Sequence, residues 1–454
     1  MSVNPADSAL FHRSLEKTYP TAVSGEGVNL ITADGRKILD GSSGAAVSCL
    51  GHGNQEVIDS ICTQARSLAF AHSSFFTSDP AEELGRLLLE KSEGAFKKVL
   101  FLTSGSEAVE SALKVARQYH VYKGQPERVN FIGRTHSYHG NTLGALAAGN
   151  NPARRAVFGD ILSPTFHHVS RCFYQNDGNG LGESEYEDRL IAEFEAKFQE
   201  LGPRTVAAVI LEPVVGATLG SCPATTNYTS RVTQLCKKHG VLTIFDEVMC
   251  GMGRTGTYHA WQSLGGVPPD LQTIGKGLGA GYQPLSAVLL ADSVFSTFEQ
   301  FSKGSKAYLS GHTFQGHSMA CAGALTVQTI LFRDKLIPHC AKMGSLLDAH
   351  LKELLPAEWK HNGGCLRGLG LFRTVDLGNM GRAHGGPLAA QVSKMCFDTG
   401  VAVYLCSPAV DAILICPPFI VTDDDVRKIA QTIAEAVHSV VHAREGANGT
   451  AFNV

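Results

Sequence analysis

Long uninterrupted apolar runs are missing from these 454 residues, so no segment is a candidate membrane span. Charge is sparse and nearly balanced: charged residues make up 18%, the net charge is -3, and no extended basic run exists. That argues against nucleic acid as a main partner. The 12 cysteines form no CxxC pair and no Cys/His spacing of a metal site, so reduced thiols and no metal are expected. The first twenty residues lack both an apolar signal core and an Arg-rich transit pattern, and the final Ala-Phe-Asn-Val is not a usual peroxisomal address. A cytoplasmic protein is the resulting expectation, in which the sequons at Asn227 and Asn448 are chance matches. No internal repeat or low-complexity tract appears. The length suits one large domain with a smaller one.

What is present centres on Val241–Gly281. An apolar run ends in Asp246 and Glu247, a glycine-punctuated loop follows (Gly251, Gly253, Gly256), and a second apolar run ends at Lys276 among glycines. Short apolar runs bounded by turn signals predict buried parallel strands, and ligands of open α/β sheets bind at the C-terminal strand edge. A carboxylate and a lysine are thereby delivered to one rim. Taken singly, Asp246 reads as a turn cap and Lys276 as a surface lysine. As a pair they suit pyridoxal phosphate (PLP): the lysine amine condenses with the cofactor aldehyde as a Schiff base, and the carboxylate keeps the pyridine nitrogen protonated.

The same stretch, Asp-Glu-Val, then Gly-x-Gly-Arg-x-Gly, then Gly-Lys-Gly, resembles the signature of class III PLP-dependent aminotransferases, the ω-aminotransferase group. The resemblance covers nearly the whole chain. It implies an α/β fold of type I, a mostly parallel central sheet flanked by helices. A cofactor-binding domain over residues 66–324 and a smaller domain from residues 1–65 and 325–454 are expected. It also implies transamination between a small-molecule amine or amino-acid donor and a keto-acid or aldehyde acceptor, with Lys276 and Asp246 as the catalytic pair. Two alternatives stay open: another PLP reaction on the same fold (an aminomutase or a decarboxylating aminotransferase), and a non-catalytic scaffold.

Residues outside the signature carry further expectations. Asp34-Gly35 predicts a hairpin turn. Ser43 to Val47 read either as a tight loop or, by resemblance, as a pocket lining. After a predicted strand Lys98–Thr103, Ser104-Gly105-Ser106-Glu107 has capping-box form and opens a helix whose N-terminus suits an anion. The resemblance makes Gly105 and Ser106 the phosphate loop. It places Tyr138, before His139-Gly140, on one face of the pyridine ring and Val248 on the other, with Glu212 nearby. It also makes Thr313 reach the phosphate from the neighbouring subunit of a homodimer. Phe75 and Phe76 read either as that subunit's pocket wall or as core aromatics. Residues 170–185 predict a loop, Val401–Leu405 one strand, and Thr422–Ala443 a helix.

The chain departs from the family where a C-terminal arginine grips the substrate carboxylate. Leu414 stands just before Pro417-Pro418, and Ser407 stands in Leu405-Cys406-Ser407-Pro408, so both guanidinium positions are lost. Either Arg367 or Arg382 takes over, or one substrate binds with little charge recognition, as a long or hydrophobic amine or aldehyde would.

Overall fold

A computed structural model describes residues 2–302, 307–383 and 386–442. The Asn448 sequon, the C-terminal tetrapeptide and Ala443 lie outside the described residues, as does the side chain of Arg382.

Seven strands form the central sheet: β1 (Lys98–Leu102), β2 (Asn130–Arg134), β3 (Phe166–Val169), β4 (Val206–Leu211), β5 (Leu242–Asp246), β6 (Leu271–Ile274) and β7 (Ser286–Leu290), in the spatial order β1-β7-β6-β5-β4-β2-β3. Only β7 runs opposite to the other six strands. Its link to β6, residues 275–285, holds no helix long enough for the crossover that a parallel return needs.

The strands are apolar throughout because both sheet faces are covered. On β5 the period of two is plain. Ile244 packs with Ala108, Ala112 and Ala116 of the helix Gly105–Tyr122, while Phe245 packs with Tyr186, Phe194 and Phe198 of the helix Glu183–Leu201. The alanine stripe lets the first helix lie close on the sheet. Its N-terminus is held by the expected capping box: Ser104 Oγ accepts the Glu107 N–H at 3.2 Å, and Glu107 Oε2 accepts the Ser104 N–H at 3.2 Å.

The hairpin at Asp34-Gly35 forms between Asn29–Thr32 and Lys37–Asp40. The expected strand Val401–Leu405 is split. Val401–Ala402 pairs in parallel with Lys37–Asp40, whereas Tyr404–Leu405 joins Ala412–Ile415 in a second small sheet. The N- and C-terminal segments thus share one sheet, and with the helices Leu336–Leu354 and Asp423–His442 they enclose a common core. Within the expected loop 170–185, Tyr174–Asp177 forms a helical turn and the following helix already starts at Glu183.

The glycine loop after β5 is stapled from both ends. Gly253 and Gly256 take positive φ (90° and 91°), which glycine alone adopts without strain. Arg254 between them is buried and donates to the Leu371 and Pro417 carbonyls at 3.1 and 2.5 Å, tying the loop to the C-terminal segment. Glu247 closes the other end, accepting the N–H groups of Ala260 and Trp261 at 2.7 and 2.9 Å.

Burial pushes the Glu247 carboxyl up to about 8 from 4.5, in spite of those two donors. Across that window the folded protein keeps a proton that the unfolded chain has released, so stability falls as pH rises, by at most about 1.4 kcal/mol per pH unit. The apparent melting temperature should therefore drop between about pH 5 and pH 8, and Glu247→Gln should flatten that slope. Parallel melting profiles of the two proteins would refute the assignment.

Candidate active site

The C-terminal ends of β1, β2, β4, β5 and β6 all lead into one cavity of about 1070 Å³. β1 delivers Thr103 to Ser106, β2 leads into Tyr138 to Asn141, and β4 leads directly into Glu212. β5 ends at Asp246 and leads to Val248, and β6 leads to Lys276. The antiparallel β7 begins at this same edge, where Ser286 Oγ donates to the Ser104 carbonyl at 2.7 Å and holds the β1 turn.

Asp246 is nearly buried and held by three partners. Its Oδ2 lies 2.8 Å from His139 Nδ1, and its Oδ1 accepts the Val248 N–H and the Thr273 hydroxyl, each at 3.1 Å. A carboxylate in that position assigns the Nδ1 proton to His139 as donor. His139 Nε2 is then a buried polar atom without a partner. Glu212 is held similarly, accepting the Tyr138 N–H at 3.1 Å and the Gly216 N–H at 3.0 Å, so it fixes the loop that carries Tyr138. Burial raises the Glu212 carboxyl above its ordinary range, against the opposing effect of His139.

Lys276 adopts a left-handed backbone (φ 44°) between Gly275 and Gly277, a conformation costing of order 1 kcal/mol. Burial pulls its ammonium below the usual lysine range, against the attraction of Asp246 and Glu212. The amine beside the two acids is accordingly easier to deprotonate than a surface lysine.

On the first turn of the helix Gly105–Tyr122, Ser106 Oγ accepts the Asn141 N–H at 3.0 Å, joining the β1 and β2 loops. A Cβ on Gly105 would come within 2.7 Å of Val248 Cγ1, so this position has no room for a side chain. These features fit PLP. The helix N-terminus offers unpaired N–H groups to a phosphate, Asp246 offers a charge to a pyridine nitrogen, and Lys276 offers an amine to an aldehyde.

The cavity thus gathers eight of the nine residues expected from the sequence: Gly105, Ser106, Tyr138, His139, Glu212, Asp246, Val248 and Lys276. Thr313 lies in an exposed turn and does not line it. Of the small-residue segment, Gly44, Ala45 and Val47 line the cavity, whereas Ser43 is buried under Arg254. Phe75 and Phe76 are 79% and 67% exposed, which rules out the core reading.

The substitute grip at Arg367 is also ruled out. Its guanidinium is buried, donates to the Leu219 and Gly220 carbonyls, and pairs with Asp376 at 2.6 Å. Leu414 is wholly buried in a strand and faces the core, while Ser407 does line the cavity. Two arginines that the sequence did not single out line it as well, Arg13 and Arg154. No motif marks either of them.

The class III aminotransferase family profile matches residues 11–437. An uncharacterized aminotransferase of Schizosaccharomyces pombe is 38% identical over 96% of both chains. A diaminobutyrate–2-oxoglutarate transaminase of Halomonas elongata is 31% identical over 93% of this chain and 91% of its own. The crystal structure of the ω-transaminase from Pseudomonas jessenii in complex with PMP superposes with a TM-score of 0.90. It is 29% identical and covers 97% of this chain and 98% of that one. A fold type I sheet, a lysine and an acid on adjacent strand ends, and these matches agree: the chain belongs to the class III aminotransferases, and its reaction is PLP-dependent transamination.

Proposed function

We propose that this protein holds PLP in the cavity described and transfers an amino group from an amine or amino-acid donor to a keto-acid or aldehyde acceptor. The observation that carries the residue assignment is the delivery of Asp246 and Lys276 into one cavity by the neighbouring parallel strands β5 and β6. In this reading Gly105 and Ser106 hold the phosphate, Tyr138 and Val248 flank the ring, and Asp246 faces its nitrogen. When bound, PLP supplies an aldehyde that takes up the amine and a protonated ring that withdraws electrons from the reacting carbon.

The protein's part is to place protons and exclude water. Asp246, held by His139 and Thr273, keeps the ring nitrogen protonated. Lys276 Nζ, its basicity reduced by burial, takes the proton from the donor's Cα and returns it as an acid. Glu212 acts through the backbone of Tyr138 and Gly216 and keeps the ring's flanking loop in place.

A homodimer is part of the same proposal. Thr313 stands exposed and away from its own cavity, as a residue serving a neighbour's phosphate would. Phe70, Phe75, Phe76 and Phe314 form an exposed aromatic group around it, with Phe70 and Phe314 edge to face at 5.7 Å. Such a patch favours a partner surface. The division into residues 66–324 and a smaller body from 1–65 and 325–454 is likewise proposed, supported by the pairing of Val401–Ala402 with Lys37–Asp40.

Borohydride reduction of the PLP-loaded protein should leave cofactor on the peptide containing Lys276, and mass spectrometry should find none in Lys276→Ala. Donor addition should bleach the visible band and release ketone or aldehyde. A protein that takes up no cofactor would overturn the proposal, and carbon dioxide release would point to the decarboxylating alternative. Asp246→Asn removes the charge that would face the ring nitrogen, a loss of about 2.7–4 kcal/mol of transition-state stabilisation, so kcat should fall roughly 10²–10³-fold. Gly105→Ala must displace a stiff β-branched Val248, and PLP affinity should fall about tenfold for a strain of about 1–2 kcal/mol. Unchanged cofactor affinity would remove Gly105 from the cradle.

A further inference from the structure

The cavity wall carries a charge that the cofactor residues leave unused. Arg154 and Arg13 both line it, and among the described residues neither side chain has a hydrogen-bond acceptor or an acidic partner. The cavity's own acids cannot supply one. Asp246 is committed to His139, Val248 and Thr273, and Glu212 to the N–H groups of Tyr138 and Gly216.

Arg154 is exposed at the cavity mouth, but the turn that carries it is anchored. It sits in the short turn Pro152–Arg155, and the next residue anchors that turn. Arg155 Nη1 donates to the carbonyls of Leu146, Ala147 and Gly149 at 3.1, 3.0 and 2.6 Å. Asn151 caps the turn by accepting the Arg154 N–H at 3.3 Å, and its amide reaches Thr218 Oγ1, another cavity residue, at 3.5 Å. Two consecutive arginines therefore divide the work: one is spent on the backbone, and the other is left facing the cavity with its donors free.

Both guanidiniums lie within electrostatic reach of the Tyr138 phenol. Burial raises that hydroxyl, and Arg154 and Arg13 each oppose the rise. All three residues line the same cavity. A planar guanidinium with five donors and no acceptor matches a carboxylate in bidentate fashion.

We propose that Arg154, assisted by Arg13, binds a carboxylate of the substrate and replaces the grip lost at Leu414 and Ser407. The inference rests on the reading of this cavity as the transamination site, and it directs that site toward amino-acid donors and keto-acid acceptors. Purely hydrophobic amines and aldehydes become the poorer substrates.

Matched acceptors test this: 2-oxobutanoate and 4-oxobutanoate, which carry the carboxylate near to or far from the carbonyl, each against butanal. In the wild-type holoenzyme kcat/KM should favour at least one acid over butanal. Arg154→Gln should lower that acid-to-aldehyde ratio about ten- to a hundredfold, the range of a charged hydrogen-bonded contact. Arg154→Lys should retain part of the ratio, and Arg13→Gln should cause a smaller fall. The acid whose ratio collapses identifies which carboxylate is held. A ratio left intact in Arg154→Gln, even with both rates reduced, would place Arg154 in cofactor binding or folding and overturn the proposal. Calorimetry of butanoate against butanamide on the holoenzyme gives a readout without turnover. The wild type should bind the anion more tightly, and Arg154→Gln should narrow the gap. No turnover with any acceptor, while the anion preference persists and depends on Arg154, would sink the transamination reading and leave the arginine assignment standing. Equal binding of anion and amide by the wild type would sink the assignment alone.

Discussion

The parallel register of β5 on β6, with Asp246 opposite Thr273, is the constraint on which the site depends. It sets the acid beside the strand whose continuation carries Lys276, and it lets the Thr273 hydroxyl donate to Asp246 Oδ1. A slip of one residue would turn Asp246 toward the opposite sheet face. The cost of such a slip is high because both faces are packed: Ile244 and Phe245 each fill a different apolar cluster. The chemistry is therefore positioned by the same burial that stabilises the sheet. Neither residue relies on a flexible loop for its alignment.

Burial also sets the electrostatics. Water is largely excluded from Asp246, Glu212 and Glu247, so each acid must be satisfied by donors supplied by the fold. Asp246 draws on a histidine, a threonine hydroxyl and one backbone N–H; the two glutamates draw on backbone N–H groups alone. This difference sorts their roles. The acid held mostly by side chains faces the cavity chemistry, and those held by the backbone organise loops. Lys276 gains from the same environment, since desolvation favours its neutral form while the nearby acids keep it from being wholly stripped of charge.

Much of this was legible in the sequence because local chemistry and tertiary structure agree there. Ser104 and Glu107 form a capping box by short-range geometry alone, Asp34-Gly35 makes its own turn, and Asp246 with Lys276, bland when taken singly, points to one rim as a pair ending two apolar runs. What could not be read depends on distant partners. Val401–Leu405 looks like one strand, yet its halves join different sheets because Lys37–Asp40 and Ala412–Ile415 compete for it from opposite ends of the chain. Arg367 and Arg154 look alike in sequence. Only the fold reveals that Leu219, Gly220 and Asp376 consume the first, while Arg155 does the anchoring that frees the second. His139 was legible as a site residue through resemblance, but its contact with Asp246 is a relation between residues far apart in the chain.

Selectivity follows a different logic from catalysis. A position such as Leu414, buried in a strand between two neighbours, is constrained by core packing. An arginine there would need a cavity and acceptors that the cluster around Phe372 and Cys416 does not offer. Arg154 and Arg13 stand where no such penalty applies, on a short turn and on the N-terminal segment, both partly in solvent. Charge recognition can thus move around the cavity mouth without disturbing β5, β6 or the cofactor cradle. One scaffold then serves relatives named as an ω-transaminase and as a diaminobutyrate–2-oxoglutarate transaminase. On this proposal the transfer chemistry rests on the strand ends, and the carboxylate grip rests on Arg154, whose side chain is left free while Arg155 anchors the turn.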